Sequence, residues 1–213
     1  MIPPNSVVFA IDDDVSVRNG LSRLLRSAGY KNEIFSSAAT FLARPPHSGP
    51  SCLIVDVRMP GLNGMDLQQA LIRRRREEQL IFITGHGNIP MCAQAMKAGA
   101  VDFLPKPFRA DELLQCIERA LVRSDEQWRR SIEKNRARHL VDLLTPREFE
   151  VMQLVVTGML NKQIAAELGT AEKTVKVHRG RMMEKLRVTS VAELVRLVER
   201  AGVTSSRRHE TKV

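Results

Sequence analysis

Three features that the sequence lacks narrow what this chain of 213 residues can be. No uninterrupted apolar run approaches the roughly 18 residues that a membrane-spanning helix needs. The first residues, MIPPNSVVFAIDDD, have no basic segment and no cleavage site, so they do not resemble a secretory signal. The cysteines are few, odd in number and not spaced as metal ligands (Cys52, Cys92 and Cys116). The sequence therefore predicts a cytoplasmic protein with buried thiols and no membrane partner.

Positive charge exceeds negative charge, and most of the excess lies in one half of the chain. Residues 1–120 contain 14 Lys and Arg against 12 Asp and Glu, whereas residues 121–213 contain 19 against 12. A basic C-terminal half favours an anionic partner such as nucleic acid. A basic surface that is merely solvated would have the same composition, so the distinction depends on motifs.

Short apolar runs alternate with helical patterns in the first half of the chain. A helical pattern follows each run, the first of them over residues 15–28 with its apolar residues on one face. Five strands that alternate with five helices predict an α/β fold, a doubly wound five-stranded parallel sheet with both faces covered. The runs interpreted as strands are VVFAI (7–11), NEIF (32–35), CLIV (52–55), LIFIT (80–84) and VDFLP (101–105).

The second half shows no strand pattern and predicts an all-α domain of four helices. Gly158, Gly169 and the Val188–Thr189 pair separate the helical patterns, which lie at about 146–157, 161–168, 172–187 and 190–201. We place the α/β domain at residues 1–122 and the helical domain at 142–203. A polar helical linker at 123–141 joins them, and a disordered tail follows at 204–213.

Polar side chains follow four of the five predicted strands. Asp12 and Asp13 come after the first strand, Asp56 after the third, Thr84 closes the fourth, and Lys106 lies just past the fifth. Because the carboxyl ends of parallel strands meet at one edge, we expect these side chains to lie together. Crowded carboxylates repel one another, and a hard divalent cation relieves that repulsion. Mg²⁺ fits, because it binds few carboxylates and keeps several waters.

The same arrangement suits phosphoryl chemistry. A carboxylate such as Asp56 beside a divalent cation can attack a phosphoryl group and hold it as an acyl phosphate. The cation and Lys106 would neutralise charge on the phosphoryl oxygens, and Thr84 could hydrogen-bond one of them. A phosphatase of the haloacid dehalogenase type is the rival interpretation. It requires a second aspartate two residues after the nucleophile, and that position is Arg58.

The order of these residues resembles the receiver domain of two-component response regulators over residues 5–122. The segments LIVDVRMPG, FITGHG and MKAGAVDFLPKPF carry the resemblance, and the motifs DVRMPG and FITGHG are shared with the FixJ-like branch. It implies Asp56 as the phosphoacceptor, Phe103 as an aromatic switch residue linked to Thr84, and a cis bond between Lys106 and Pro107. The other implied roles are Mg²⁺ ligation by Asp12, Asp13, Asp56 and the backbone carbonyl of Arg58, and phosphoryl contacts from Thr84 and Lys106.

Residues 144–187 have the pattern of a helix-turn-helix. The stretch Thr145–Glu148 predicts a helix start with a capping box, and a later short helix ends at Gly169 before a longer basic helix begins. The segments LTPRE, NKQIA and KTVKVHR resemble the LuxR/NarL-type DNA-binding domain over about residues 138–203. The implied contacts with double-stranded promoter DNA are Asn161, Lys173, Thr174, Lys176, Val177, His178, Arg179 and Lys185.

Within that set the expected roles differ. We interpret Lys176 and Arg179 as readers of base edges, and Asn161 and Lys185 as phosphate contacts. The family often has Ser where this chain has Ala171, so Thr170 is an alternative cap for the recognition helix. An ordinary amphipathic bundle with a solvated basic face remains an alternative for this half.

The two resemblances together imply a DNA-binding response regulator of the FixJ/NarL type, and not an enzyme with an outside substrate. A sensor histidine kinase would phosphorylate Asp56, a homodimer would form and bind a promoter, and RNA polymerase would be a further partner. One alternative is an RNA-binding antiterminator, which would lack NKQIA and KTVKVHR. Another is a receiver that acts without phosphorylation, which would be expected to lose part of the Asp, Thr and Lys set.

Overall fold

The computed structural model of the chain describes residues 2–85 and 88–203. The predicted disordered tail at 204–213 lies outside the described residues. The chain divides into two compact units, Met1–Arg129 and Arg130–Val213, which are described separately below. No helix in the described part of the chain combines the length and the apolar character needed to cross a membrane.

The first unit is built on a five-stranded sheet in which every neighbouring pair is parallel. The strand order is β2-β1-β3-β4-β5, so the predicted doubly wound sheet is confirmed. The strands are β1 (Val7–Ile11), β2 (Asn32–Phe35), β3 (Ser51–Asp56), β4 (Gln79–Thr84) and β5 (Asp102–Pro105). The helices are α1 (Val15–Ser27), α2 (Ala38–Ala43), α3 (Gly64–Arg73), α4 (Ile89–Lys97) and α5 (Ala110–Asp142).

Alternating residues of the strands fill two cores, one on each face of the sheet. In β1, Phe9 packs with the core that α2, α3 and α4 cover, whereas Val8 and Ala10 pack with the core that α1 and α5 cover. All residues of β1, β3 and β4 are buried, as expected for the central strands of a parallel sheet. The two covered faces leave the carboxyl edge of the sheet as the place where polar side chains can collect.

Side-chain caps fix where the helices next to that edge begin. The Asp14 carboxylate accepts a hydrogen bond from the Ser16 backbone N–H at 2.7 Å and so caps α1. Asn63 caps α3 and Asn88 caps α4 in the same way. Each cap satisfies an N–H group that the helix itself leaves unpaired, so the loops after the strands turn at defined residues.

Helix α5 is long, and the division between the two units falls inside it. The segment 123–141, expected as a helical linker, lies within this helix. In the first unit the Ser124 hydroxyl accepts from the Ser51 backbone N–H at 2.8 Å, and Gln127 accepts from the Gln79 side chain at 2.9 Å. These two contacts join the part of α5 just beyond residue 122 to the first residues of β3 and β4.

Among its described residues, the second unit contains the end of α5 and four further helices, which confirms the predicted helical domain. They pack around one core that includes Val151, Ile164, Val175 and Leu194. The helices are α6 (Pro146–Val156), α7 (Asn161–Glu167), α8 (Glu172–Leu186) and α9 (Val191–Ala201).

Two details of this unit bear on the sequence-based expectations. The capping box of α6 is present, with Glu148 accepting from the Thr145 backbone N–H at 2.9 Å. Helix α8 begins after Ala171 without a side-chain cap, so Thr170 does not supply one. Val177 of this helix is 45% exposed and does not pack in the core.

Candidate functional site

Three carboxylates converge where the strand order of the sheet reverses. Strands β1 and β3 are neighbours, and Asp12 follows the first whereas Asp56 ends the second. One carboxylate oxygen each from Asp12, Asp13 and Asp56 lie within 4.8 Å of one another. Asp12 is buried and Asp56 is 8% exposed, whereas Asp13 faces solvent. Such a set of hard oxygen donors, open on one side, can hold a divalent cation that keeps some of its waters.

Lys106 brings positive charge to the same place. Its Nζ lies 2.6 Å from Oδ2 of Asp12 and 3.3 Å from Oδ2 of Asp56. The peptide bond between Lys106 and Pro107 is cis, as the resemblance implied. The Lys106 backbone N–H donates to the carbonyl of Thr84 at 2.7 Å, and Thr84 is buried at 1% exposure. The ends of β1, β3, β4 and β5 thus bring the predicted Asp, Thr and Lys residues to one edge.

Burial and mutual charge shift the pKa values of this cluster. Burial raises the pKa of Asp56 and the Asp12 carboxylate raises it further, while the nearby Lys106 ammonium acts in the opposite direction. Burial lowers the pKa of Lys106, but the hydrogen bond to Asp12 and the charges of both carboxylates outweigh it, so the pKa is raised. The folded protein therefore keeps the ammonium protonated and disfavours the Asp56 charge, a cost that an added cation would offset.

Two residues that the sequence-based reasoning missed shape the site. Nη1 of Arg18 donates to the backbone carbonyls of Asp12 and Asp13, each at 2.8 Å, and so fixes the loop after β1. A Cβ atom on Gly64 would lie 2.6 Å from the carbonyl oxygen of Asp56, too close for any other residue. The Asn63–Gly64 pair signals a turn but not a close approach to a carbonyl, and Arg18 lies in a helix among other arginines, so only the folded chain identifies either role.

Among the described residues, no contact defines the predicted roles of Phe103 and Arg58. The Phe103 ring is half-buried, with its centroid 6.1 Å from that of Phe82. Arg58 is exposed, and its backbone N–H points to Oδ1 of Asp56 at 3.4 Å. The switch role of Phe103 and the ligand role of the Arg58 carbonyl stay predictions.

In the second unit, helix α8 presents a polar stripe to solvent. Lys173, Thr174, Lys176 and Val177 are exposed. The opposite face, through Val175, Met182 and Leu186, is buried in the core. A helix with one buried face and one exposed basic face can enter the major groove of DNA.

Other predicted DNA contacts of this unit are tied to neighbouring helices. Nη1 of Arg179 donates to Oδ1 of Asn161 at 2.9 Å, joining α8 to α7. Nζ of Lys185 lies 2.6 Å from Oε2 of the buried Glu148 on α6. His178 is half-buried. The predicted contacts therefore divide into an exposed set at the start of α8 and a set held within the domain.

Family models match both halves of the chain. The model described as "Response regulator receiver domain" matches residues 8–118. The model described as "Bacterial regulatory proteins, luxR family" matches residues 142–198. Together they include the whole acidic cluster and the helix-turn-helix.

Similarity to known proteins extends over nearly the full chain. Nodulation protein W of Bradyrhizobium diazoefficiens is 46% identical over 210 residues, which is 98% of this chain and 92% of that protein. Response regulator protein TodT of Pseudomonas putida is 46% identical over 195 residues, 92% of this chain and 86% of its own. Among solved structures, the response regulator StyR is 49% identical with a TM-score of 0.81, over 92% of this chain and 98% of its own.

The transcriptional regulatory protein FixJ of Bradyrhizobium diazoefficiens is 38% identical over 196 residues, covering 92% of this chain and 96% of FixJ. The receiver model thus matches the part of the chain that forms the parallel sheet with its acidic edge, and the luxR-family model matches the part that contains the helix-turn-helix. The chain belongs to the response regulators of two-component systems, and it is a DNA-binding regulator of transcription with a receiver domain followed by a luxR-family domain.

Proposed function

We propose that a sensor histidine kinase transfers a phosphoryl group to Asp56 and that this controls promoter binding by α8. The convergence of Asp56 with Asp12, Asp13 and Lys106 at one edge of the sheet is the observation that supports the proposal most. Three carboxylates crowded around one ammonium are unusual as a purely structural feature, because their desolvation and mutual repulsion weaken the fold. Such groups concentrate where chemistry requires them.

The residues at this edge fit a magnesium ion. Asp12, Asp13 and Asp56 offer oxygen ligands within 4.8 Å, and the exposed side of Asp13 leaves room for waters. The carbonyl of Arg58 is a further ligand in our proposal. When bound, the ion would supply positive charge that stabilises the transferring phosphoryl group. It would also relieve the mutual repulsion of the carboxylates.

The side chains present would then divide the work of phosphoryl transfer. A carboxylate oxygen of Asp56 forms a bond to phosphorus while the bond between phosphorus and the kinase histidine breaks. The electron pair of the broken bond returns to the histidine imidazole. The Lys106 ammonium, already protonated, is placed to pair with a phosphoryl oxygen. Thr84 is placed to hydrogen-bond another, and Phe103 would move with it as the switch.

At the DNA, we propose that the exposed residues of α8 enter the major groove, with Lys176 reading a base edge. Lys173, Thr174 and Val177 lie on the same exposed part of the helix. Lys185 is the weakest candidate, because its ammonium is paired with Glu148 within the domain. His178 remains a lesser contact at the edge of that surface.

Further parts of the proposal concern assembly. Phosphorylation would promote a homodimer, so that two recognition helices read paired half-sites, and RNA polymerase would be recruited from there. The protein would act in the cytoplasm and would not process an outside substrate. We assign the receiver to residues 1–122 and the DNA-binding domain to residues 142–203, with the segment 123–141 as their helical linker.

The proposal is tested by comparing the wild type with Asp56→Asn and with Asp111→Asn, an exposed aspartate of α5, as the matched control. Each is treated with an acyl phosphate and Mg²⁺, and peptide mass spectrometry locates the added phosphate. Promoter affinity is measured in parallel by fluorescence anisotropy.

The expected result is a phosphate on Asp56 in the wild type and the control, none in Asp56→Asn, and tighter DNA binding only where phosphate is found. Phosphate located on another residue would refute the assignment of the site. Equal affinity with and without donor would refute the phosphorylation control.

A further inference from the structure

Arg179 is oriented differently from the exposed lysines at the start of the recognition helix, Lys173 and Lys176. It lies four residues after Val175 and three before Met182, and both of these are buried, so Arg179 shares their inward face. Of the exposed stripe, Lys173, Thr174 and Val177 lie on the other side of α8, and Lys176 lies between the two faces. Consistent with this placement, Arg179 is half-buried, and its Nη1 reaches Oδ1 of Asn161 at 2.9 Å.

The chemistry of this contact determines the orientation of the Asn161 carboxamide. A guanidinium has only donors, and a carboxamide has one acceptor oxygen and an NH₂ group with two donors. The atom of Asn161 that faces Arg179 must therefore be its oxygen. Its NH₂ group then points away from Arg179, and no hydrogen bond from that group is found within residues 2–85 and 88–203. Asn161 is half-buried, so this group can reach a ligand at the surface.

The short helix that carries Asn161 depends on contacts from its neighbours. Neither Leu160, before α7, nor Ala171, before α8, provides a side-chain acceptor for the first N–H groups of its helix. At the end of α7, Nη2 of Arg147 donates to the carbonyl of Leu168 at 2.8 Å. At its beginning, Gln163 accepts from the Leu160 backbone N–H, and Arg179 is the contact from a neighbouring helix, through the Asn161 side chain.

We propose that Arg179 is a positioning residue and not a reader of bases. This role rests on the DNA-binding surface of the proposed function. It holds the Asn161 carboxamide with its oxygen inward, so that the NH₂ group is left to donate to a DNA phosphate. Half or more of the hydrogen bonds in protein–DNA complexes go to the backbone, and side-chain amides are among their donors. The interpretation of Arg179 from sequence as a base-edge reader is replaced by this role.

A substitution at Asn161 separates this role from a structural one. Asn161→Asp keeps an acceptor for Arg179 but replaces the NH₂ donors with an anion that would face the phosphate. We expect unchanged or higher thermal stability together with a loss of roughly 10- to 100-fold in affinity for duplex DNA. A mixed-sequence duplex is a sufficient probe, because phosphate contacts do not depend on sequence.

The matched control is Gln163→Glu, which adds the same charge two residues further along α7. Its carboxylate would keep the hydrogen bond that Gln163 now accepts from the Leu160 backbone N–H at 2.8 Å. We expect a much smaller loss of affinity than for Asn161→Asp. Equal losses in the two variants would show a general effect of negative charge and would overturn the proposal.

A double-mutant cycle tests whether Arg179 acts through Asn161. In the wild-type background we expect Arg179→Met to weaken binding several-fold and Arg179→Lys, which retains a donor, to restore most of it. In an Asn161→Ala background, Arg179→Met should have little further effect. The slope of affinity against salt concentration should stay unchanged in Arg179→Met, because a residue that touches no phosphate releases no counterion.

The outcomes also separate this role from the DNA-binding surface itself. A wild-type chain that failed to bind the duplex even after treatment with an acyl phosphate and Mg²⁺, or Lys176→Ala with unchanged affinity for a promoter, would refute the proposed surface and the positioning role with it. Wild-type binding with a reduced salt slope in Arg179→Met, or with full additivity in the cycle, would refute the positioning role alone.

Discussion

The acidic cluster predicts that replacing Asp56, the proposed phosphoacceptor, makes the magnesium-free protein more stable. In Asp56→Asn a neutral amide takes the place of a carboxylate that is 8% exposed. The substitution removes repulsion from Asp12 and Asp13 and removes the desolvation of one buried charge. It also removes the attraction to Lys106. The balance of these three effects determines the sign.

The distances give the magnitudes. At an effective dielectric constant of about 20, two like charges 4.8 Å apart repel by roughly 3 kcal/mol. The attraction between Lys106 and Asp56 at 3.3 Å is about 5 kcal/mol on the same scale. Asp13 is exposed and adds less, about 1 kcal/mol, while desolvation of a buried ion costs several kcal/mol. The sum favours the asparagine by about 1–2 kcal/mol, in agreement with the raised pKa of Asp56.

Calorimetry in EDTA and in Mg²⁺ provides the assay. We expect Asp56→Asn to unfold roughly 3–10 °C above the wild type in EDTA, as about 1–2 kcal/mol implies for a unit of this size. Saturating Mg²⁺ should raise the wild-type midpoint, because a ligand that binds only the folded state stabilises it, and should raise the variant less. A variant less stable than the wild type in EDTA, or an equal gain from Mg²⁺ in both, would refute the electrostatic account.

Three further substitutions test other parts of the structure. The pKa of Glu148 is lowered, since burial raises it but the hydrogen bonds from Lys185 and Thr145 outweigh burial. Glu148→Gln should therefore cost about 1–3 kcal/mol at pH 7 in urea unfolding, and the difference from the wild type should shrink as the pH falls below about 4.5. Ala171→Ser should stabilise the second unit by about 0.5–2 kcal/mol in thermal unfolding by adding the missing cap, and no gain would mean that α8 begins elsewhere. Gly64→Ala should destabilise the first unit by about 1–3 kcal/mol, whereas an unchanged midpoint would mean that the loop after β3 can shift.

The fold could be predicted from the sequence because its signals are local. Short apolar runs such as VVFAI that alternate with helical patterns indicate buried strands of a covered parallel sheet. Caps such as Asp14 and Thr145 mark helix starts through bonds to residues two or three positions away. The acidic edge was predictable for the same reason. Once the strands are parallel, every residue that follows one of them lies at the same edge.

Contacts between residues distant in the sequence were not predictable. The spacing of Asn161 and Arg179 does not indicate that they bond across a turn, and nothing near Lys185 indicates its buried partner Glu148. The need for glycine at position 64 depends on a carbonyl eight residues earlier that only the folded loop brings to it.

The sequence by itself therefore determined which elements form and which side chains gather at the edge of the sheet, because periodicity and strand direction are properties of the local chain. Only the tertiary structure decided which basic residues of the recognition helix face solvent and which are tied to neighbouring helices. That choice depends on how three helices pack around Val175 and Met182, and packing is a property of side chains meeting in space.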